Sequence, residues 1–407
     1  MPINKKRKLR FKPFIGTIHL WLGLVSGLVV FLVATSGAIM VFEKEIRFLT
    51  GTASYDRTVP FQHKAKAPPS QIFEKAIAEL PEGGEYCYFY TGSKPNNVVV
   101  TWYYHPGREP EIPAGYREVL QHPYTAEVIQ NTLWEGGFWG FMVKFHTTLL
   151  LPYEIGHQVV GWSTVIFLFM LLTGLILWFP KNKKGYRQRF SIKWGASKKR
   201  VTYDLHNVLG FYAMTVLLVI GLTGLVWSFE TVREGIYTIA SGGEEMPSPA
   251  PPTSAWTQES ALQSPAELGR MIDSLASLSQ AQYESVYRMT VSYPLDSVGS
   301  ISVGIMTEKG KNYDRHDEFA YDRYSGALLH SEKWADQNGG ERIMHLNYPI
   351  HLGLIGGWPT KILAFLASLI AASLPITGFY IWWGRRRKKK KTRKRVSKSE
   401  PAPVLPA

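Results

Sequence analysis

A single cysteine, Cys87, excludes an intrachain disulfide and leaves no C-x-x-C-H attachment site for a c-type haem. Acidic residues are the scarcer charge: 32 Asp and Glu stand against 46 Lys and Arg, a formal net charge of +14 over 407 residues. Charge of either sign is almost missing from four long apolar runs, which two long polar stretches separate. The basic side of those runs holds only short segments, the longest being 180–203 and 384–407. No flavin or nicotinamide domain is therefore expected there, and no G-x-G-x-x-G follows a strand in them.

What is present is organised by the apolar runs. The third, TYDLHNVLGFYAMTVLLVIGLTGLVWSFE, has no charge between Asp204 and Glu230, enough to cross a hydrocarbon core of roughly 30 Å as a helix. His206 nonetheless sits near its start, Gly210 follows four residues on, and Thr223-Gly224 lies 17 positions after the histidine (223 − 206). The first run repeats this grammar with His19, Gly23 and Ser36-Gly37, again 17 positions on (36 − 19). The second and fourth runs carry Thr173-Gly174 and Thr377-Gly378 near their ends. Counting back from these pairs reaches His146 (173 − 146 = 27) and His351 (377 − 351 = 26). The chain therefore reads as two halves, each a pair of membrane helices.

The positive excess sits in KKRKLRFK, KNKKGYRQRFSIKWGASKKR and RRRKKKKTRKR, each flanking an apolar run. Basic clusters so placed put both termini and the central loop in the cytoplasm, and they speak for contact with membrane lipid rather than nucleic acid. The first run is too long for the apolar core of a secretory leader and is read as a retained helix. The expected fold class is membrane α-helical, four transmembrane helices as two repeated hairpins, with two small external α+β domains. The expected order is a cytoplasmic basic tail (1–16), a first span (17–43) and an external domain (44–137). An interfacial helix (138–152), broken from the next span near Pro152, a second span (153–179) and a cytoplasmic basic loop (180–203) follow. The second half brings a third span (204–229), an external domain (230–345) that opens on a Pro/Ser-rich linker, and an interfacial segment (346–358). A fourth span (359–383) and a cytoplasmic basic tail (384–407) complete it. In the external domains PSQIFEKAIAEL and SPAELGRMIDSLASL read as helices, and YCYFY, NNVVVTWYY, REVLQ, YRMTVSY, SISVGIM and DEFAYD as strands.

Of the 11 histidines, His63, His105, His122, His316 and His330 lie in polar segments, where a solvated ring is the default. Six lie at membrane edges: His19 and His206 on the cytoplasmic side, His146, His157, His345 and His351 on the external side. Ionisable groups at such depth face a partner or a cofactor, and two pairs in repeated register point to ligation. Haem suits the donor set better than zinc. A zinc site wants four protein ligands, whereas a haem needs two facing imidazoles, an apolar slot and small residues beside the macrocycle. Gly23, Gly27, Gly37, Gly210, Gly221 and Gly224 offer such room, or serve helix packing. The [ST]-G pairs lie near the opposite edge from their own histidine, and either face another haem or pack helices.

The repeated H-x3-G…[ST]-G helices, the Pro123-Tyr124-Thr125 and Arg323-Tyr324-Ser325-Gly326 turns and the basic ends resemble the PepSY-associated transmembrane helix family over about residues 10–390. The resemblance implies a bacterial inner-membrane protein linked to iron uptake, with two non-covalent b haems and periplasmic PepSY-like domains at 44–137 and 230–345. Carried over by position, it pairs His19 with His206 and His146 with His351. Counting instead from Tyr124 and Tyr324 places His146 at 22 residues (146 − 124) and His345 at 21 (345 − 324), so His345 stays an alternative to His351. Helix depth is the firmer anchor because loop lengths drift. His157 stands as a neighbour of the ligands or an alternative to them.

Three functions follow from these readings. The first is a di-haem b reductase that carries electrons across the membrane from a quinol or a separate cytoplasmic donor to a ferric chelate, such as a ferric siderophore. It has no catalytic residues beyond the haem ligands, and its substrate is expected over Trp134, Phe138, Trp139 and Trp358, with Gly136, Gly137, Gly356 and Gly357 permitting close approach. The second is a non-catalytic PepSY membrane protein that binds a partner or restrains a peptidase, and the third is a metal or haem transporter. Topology is testable directly: a reporter fused after residue 300 is expected to be active only if it works outside the cytoplasm. Activity of a cytoplasmic reporter there would overturn the arrangement.

Overall fold

A computed structural model of the protein describes residues 11–52, 57–108, 112–180, 186–247, 252–256, 263–308 and 315–397. Parts of both basic tails (1–10 and 398–407), of the basic loop (181–185) and of the Pro/Ser-rich linker (248–251) lie outside the described residues. The first half runs α1 (Phe11–Met40), α2 (Glu43–Leu49), α3 (Pro69–Ile77), β1 (Tyr86–Tyr90), β2 (Val99–His105), β3 (Gly115–Gln121), β4 (Val128–Leu133), α4 (Phe138–Thr148) and α5 (Tyr153–Trp178). The second half repeats the order with α6 (Lys198–Ser228), α7 (Glu230–Ser241), α8 (Pro265–Gln280), β5 (Arg288–Ser292), β6 (Ile301–Met306), β7 (Asp317–Tyr321), β8 (Leu328–Glu332), α9 (Gly339–His351) and α10 (Trp358–Ser397). Two compact units result. Met1–Val41, Lys144–Phe229 and Lys361–Ala407 form one, and Phe42–Val143 with Glu230–Thr360 form the other.

The first unit is a bundle of α1, α5, α6 and α10, four helices long and apolar enough to cross a membrane. Neighbours run antiparallel, as their glycine contacts record. A Cβ at Gly221 of α6 would stand 2.6 Å from Leu168 of α5, and one at Gly161 of α5 would stand 3.0 Å from Phe229 just beyond α6. Gly221 is therefore a packing residue. α1 starts six residues before the expected 17 (17 − 11), inside the basic tail, where Lys12 Nζ donates to the Phe179 carbonyl at the end of α5. A cation at a helix C-terminus satisfies a carbonyl that the helix cannot. The break expected near Pro152 is present, and α4 stops at Thr148, short of the expected 152. Leu149 and Leu150 take positive φ (54° and 62°), which breaks the helix between α4 and α5. A Cβ at Gly156 would sit 2.1 Å from the Thr148 carbonyl, so only glycine fits that corner.

The second unit corrects one expectation. The two α+β domains do not fold as separate sheets but share one antiparallel sheet of eight strands, ordered β4-β3-β2-β1-β5-β6-β7-β8. The halves join edge to edge where β1 meets β5, with Phe89 opposite Val291. A lone four-stranded half would leave that edge unpaired, and pairing the two removes the liability. Both expected helices form. Ile72 and Phe73 of α3 are buried with Leu268, Ile272 and Leu275 of α8 in one core over the sheet. The carboxylate of Asp273 on α8 accepts from the backbone N–H and hydroxyl of Ser70 at the start of α3 (2.8 and 2.7 Å). Equivalent turns follow β3 and β7, each after a register shift, with Ala126 (φ 56°) at the place of Gly326 (φ 70°). Cys87 is sealed in this core, and burial pushes its thiol up to about 12, which disfavours the thiolate.

One ion pair ties the segment after α1 to the sheet. Arg47 of α2 and Glu118 of β3 are both buried, 3.0 Å apart, and Arg47 also donates to the Thr52 carbonyl. Arg47→Met should destabilise this unit by about 3–5 kcal/mol, because it leaves a buried carboxylate without its partner. R47M/E118L should recover much of that loss. Denaturant unfolding followed by tryptophan emission checks both, and an R47M protein as stable as the parent would refute the claim.

Candidate functional site

His19 and His206 occupy equivalent places, each eight residues into its helix (19 − 11 and 206 − 198). Their ring centroids stand 6.4 Å apart and the rings are perpendicular at 89°. Each ring is held from a neighbouring helix by one of the small-residue pairs. His19 Nδ1 lies 2.9 Å from Thr173 Oγ1 of α5, and His206 Nδ1 lies 2.9 Å from Thr377 Oγ1 of α10. The glycine beside each threonine makes room for the ring: a Cβ at Gly174 would meet His19 Cε1 at 3.5 Å, and one at Gly378 would meet His206 Cε1 at 3.3 Å. From the sequence these pairs were open to two roles, cofactor contact or packing. They are histidine clamps, each acting on the ring of another helix.

A third clamp has the same form. His146 on α4 places Nδ1 3.1 Å from Ser36 Oγ of α1 and 3.0 Å from the Val33 carbonyl, and a Cβ at Gly37 would stand 3.1 Å from its Cε1. Thr223 of the fourth pair has its hydroxyl turned back onto the Val219 and Ile220 carbonyls, as the other three turn onto their own helices.

Between His19 and His206 opens a cavity of about 860 Å³ walled by α1, α5, α6 and α10. That volume falls in the ~300–1,000 Å³ range of small-molecule and cofactor sites. Its walls are mainly leucine and aromatic side chains, and Gly16, Gly23, Gly27, Gly174, Gly210 and Gly378 line it where helices approach closely. Gly23, Gly27 and Gly210 also abut Met170, Pro375 and Leu374, so they serve both packing and the slot. At one end, where α1 and α6 begin and α5 and α10 near their basic ends, polar groups gather: Tyr203, Asn207 and Arg385. Trp178 lines the same cavity, buried and stacked on Phe211 at 3.9 Å, with no acceptor for its indole N–H. A buried donor left unmatched costs free energy.

The remaining expected residues are placed as follows. His157 of α5 has Nε2 3.1 Å from the Trp227 carbonyl and stacks on Tyr153, so that nitrogen is engaged in joining α5 to α6. His345 of α9 has Nε2 3.3 Å from Glu332 Oε1 and lies edge-on to His316, while His351 is the half-buried last residue of the same helix. Trp134, in a 3-10 turn, packs edge-on against Trp102 of β2. Phe138 and Trp139 open α4 in mutual contact, and Trp358 opens α10 against Phe42. Phe138 and Trp358 are exposed. Gly136 and Gly137 leave space around an added Cβ, whereas Gly356 donates its N–H to Thr360 Oγ1 and Gly357 has φ 66°. The glycine most needed here is Gly140, not singled out from the sequence, whose Cβ would stand 2.3 Å from the Trp134 carbonyl.

Among the described residues, no three of His, Cys, Asp and Glu converge as a protein-only metal site would require. What does converge is a pair of imidazoles, His19 and His206, both lining one apolar cavity. The family model for the PepSY-associated TM region matches residues 17–385. A search of curated proteins returns no significant match. With the clamps, the sheet and the greater part of every membrane helix falling inside the matched span, this chain is a multi-pass membrane protein that belongs to the PepSY-associated TM region family.

Proposed function

We propose that the protein is a di-haem b reductase of the bacterial inner membrane, carrying electrons outward to reduce a periplasmic ferric chelate, a ferric siderophore, and release iron(II). The observation that carries this reading is the facing pair His19 and His206 across the glycine-lined cavity. Two metal–imidazole bonds of about 2 Å each, with the half-widths of both rings, make up a centroid separation close to the observed 6.4 Å. Haem iron, when bound, supplies a one-electron couple. His19 and His206 would hold it through Nε2, the nitrogens their clamps leave uncommitted. Tyr203, Asn207 and Arg385 offer donors to carboxylate oxygens at the polar end of the cavity.

His146 carries the same kind of clamp and is the candidate ligand for the second haem, with His351 its match by helix-anchored register in the sequence. The basic clusters argue for a cytoplasmic N-terminus, C-terminus and central loop, so His19 and His206 would sit near the electron source, a quinol or a separate cytoplasmic donor. Ferric chelates of this class hold iron(III) through hard oxygen donors and iron(II) more weakly, so adding an electron loosens the metal without an acid or a nucleophile. Exposed Phe138 and Trp358 provide apolar surface on which a bulky complex can rest.

The purified protein should show a b-type absorbance with two haems per chain. His19→Ala or His206→Ala should remove one haem and leave the other, and His146→Ala or His351→Ala should remove the second. Four variants that each kept two haems would reject these ligands, and a parent protein without haem would favour the non-catalytic reading. For the reaction, haems reduced with dithionite and freed of excess reductant should reoxidise when a ferric siderophore is added, with iron(II) appearing in a ferrozine trap. Haems that stay reduced with every ferric chelate, yet reoxidise with another acceptor, would reject the substrate.

A further inference from the structure

We infer that Thr173 and Thr377 are positioning residues that lock His19 and His206 in the Nδ1–H form and so set the potential of the iron held between them, and that Ser36 does the same for His146. The assignment follows from counting protons. A hydroxyl has one hydrogen to donate and can accept more than one. Thr173 Oγ1 lies 3.0 and 3.1 Å from the Phe169 and Met170 carbonyls, and Thr377 Oγ1 lies 2.9 and 3.1 Å from those of Ser373 and Leu374. Carbonyls only accept, so with the hydroxyl hydrogen shared between them the imidazole is the donor, from Nδ1 to Oγ1.

The third clamp supports this independently. His146 Nδ1 is 3.0 Å from the Val33 carbonyl as well as 3.1 Å from Ser36 Oγ, and Ser36 Oγ itself turns onto the Leu32 and Val33 carbonyls. A nitrogen that close to a carbonyl oxygen must carry a proton. In all three rings the proton on Nδ1 leaves Nε2 bare, which is the form that ligates a metal. The adjacent glycine is part of the same device at Gly37 and Gly378, where an added Cβ would crowd the ring at 3.1 and 3.3 Å, whereas one at Gly174 would only touch it at 3.5 Å. Donating from Nδ1 also makes the ring a more basic ligand. A more basic ligand favours iron(III) over iron(II), so losing the clamp should raise the haem potential.

This inference rests on the proposed haem site, and its test separates the two. Thr173→Val and Thr377→Val keep side-chain volume and remove the acceptor. Each should weaken haem retention about 10–100-fold and shift the midpoint of one haem to more positive potential, with the double variant shifting that haem further. Thr173→Ser and Thr377→Ser, which restore the hydroxyl, should return both values to those of the parent. Ser36→Ala should leave this haem unchanged and shift the other by less than the valine variants do, because the Val33 carbonyl still accepts from His146 Nδ1. In haem-free protein, ¹⁵N shifts of ring-labelled histidine should report protonated Nδ1 and bare Nε2 for His19, His206 and His146. Valine variants with parental potential and retention, or rings found protonated at Nε2, would overturn the clamp while leaving the haem reading standing. A parent protein without haem overturns that reading, and the ¹⁵N arm then decides the clamp alone.

Discussion

An imidazole placed among hydrocarbon side chains brings a ring N–H that needs an acceptor, and most of a membrane helix has none to give because its carbonyls are already bonded. The bundle meets that requirement with Ser36, Thr173 and Thr377, whose hydroxyls sit on the helix surface while their own hydrogens fold back onto it. A side chain of this type hands the ring an acceptor at a fixed place. The glycine beside it then decides how near the ring can come. Histidine orientation, helix spacing and the width of the cavity all depend on that pairing. Rotating α5 or α10 about its axis would take hydroxyl and glycine away together.

Much of this is legible in the amino-acid sequence alone. Equal offsets from His19 to Ser36 and from His206 to Thr223 expose the repeat, and that repeat carries the helices, the strands and the histidine pairs. What each [ST]-G pair touches is not legible there. A 17-residue offset along one helix is about 25 Å of rise, so a pair can never reach the histidine it is counted from. Its partner lies on a neighbouring helix, and linear spacing says nothing about which neighbour that is. Gly140 and Trp178 stay hidden for a related reason, since a close approach and an orphaned donor exist only once other elements are in place.

The shared sheet is hidden by distance along the chain. Strands joined by short turns announce their pairing, and β1 through β4 and β5 through β8 do so. β1 and β5 are separated by the whole of α4, α5 and α6, and no local signal marks their edges as complementary. The alternation of buried and exposed residues predicts a strand without naming its neighbour. Two four-stranded domains are the natural reading of such a pattern, and edge pairing replaces it with one.

Each unit turns out to need both halves. In the sheet-bearing unit the halves meet at β1 and β5, and a single half would present an open edge. In the bundle, each clamp next to the cavity lies within one half: α5 holds the histidine of α1, and α10 holds the histidine of α6. The facing imidazoles, by contrast, come one from each half. A half-length ancestor would thus contain a complete clamp but only half of a two-imidazole site, and two copies would have to associate to complete it. Fusing the copies removes the entropy cost of that association and lets the halves diverge, as Ala126 and Gly326 have diverged at equivalent turns. The clamp is then the shared logic of the repeat, and the cavity lined by His19 and His206 is what bringing the two halves together creates.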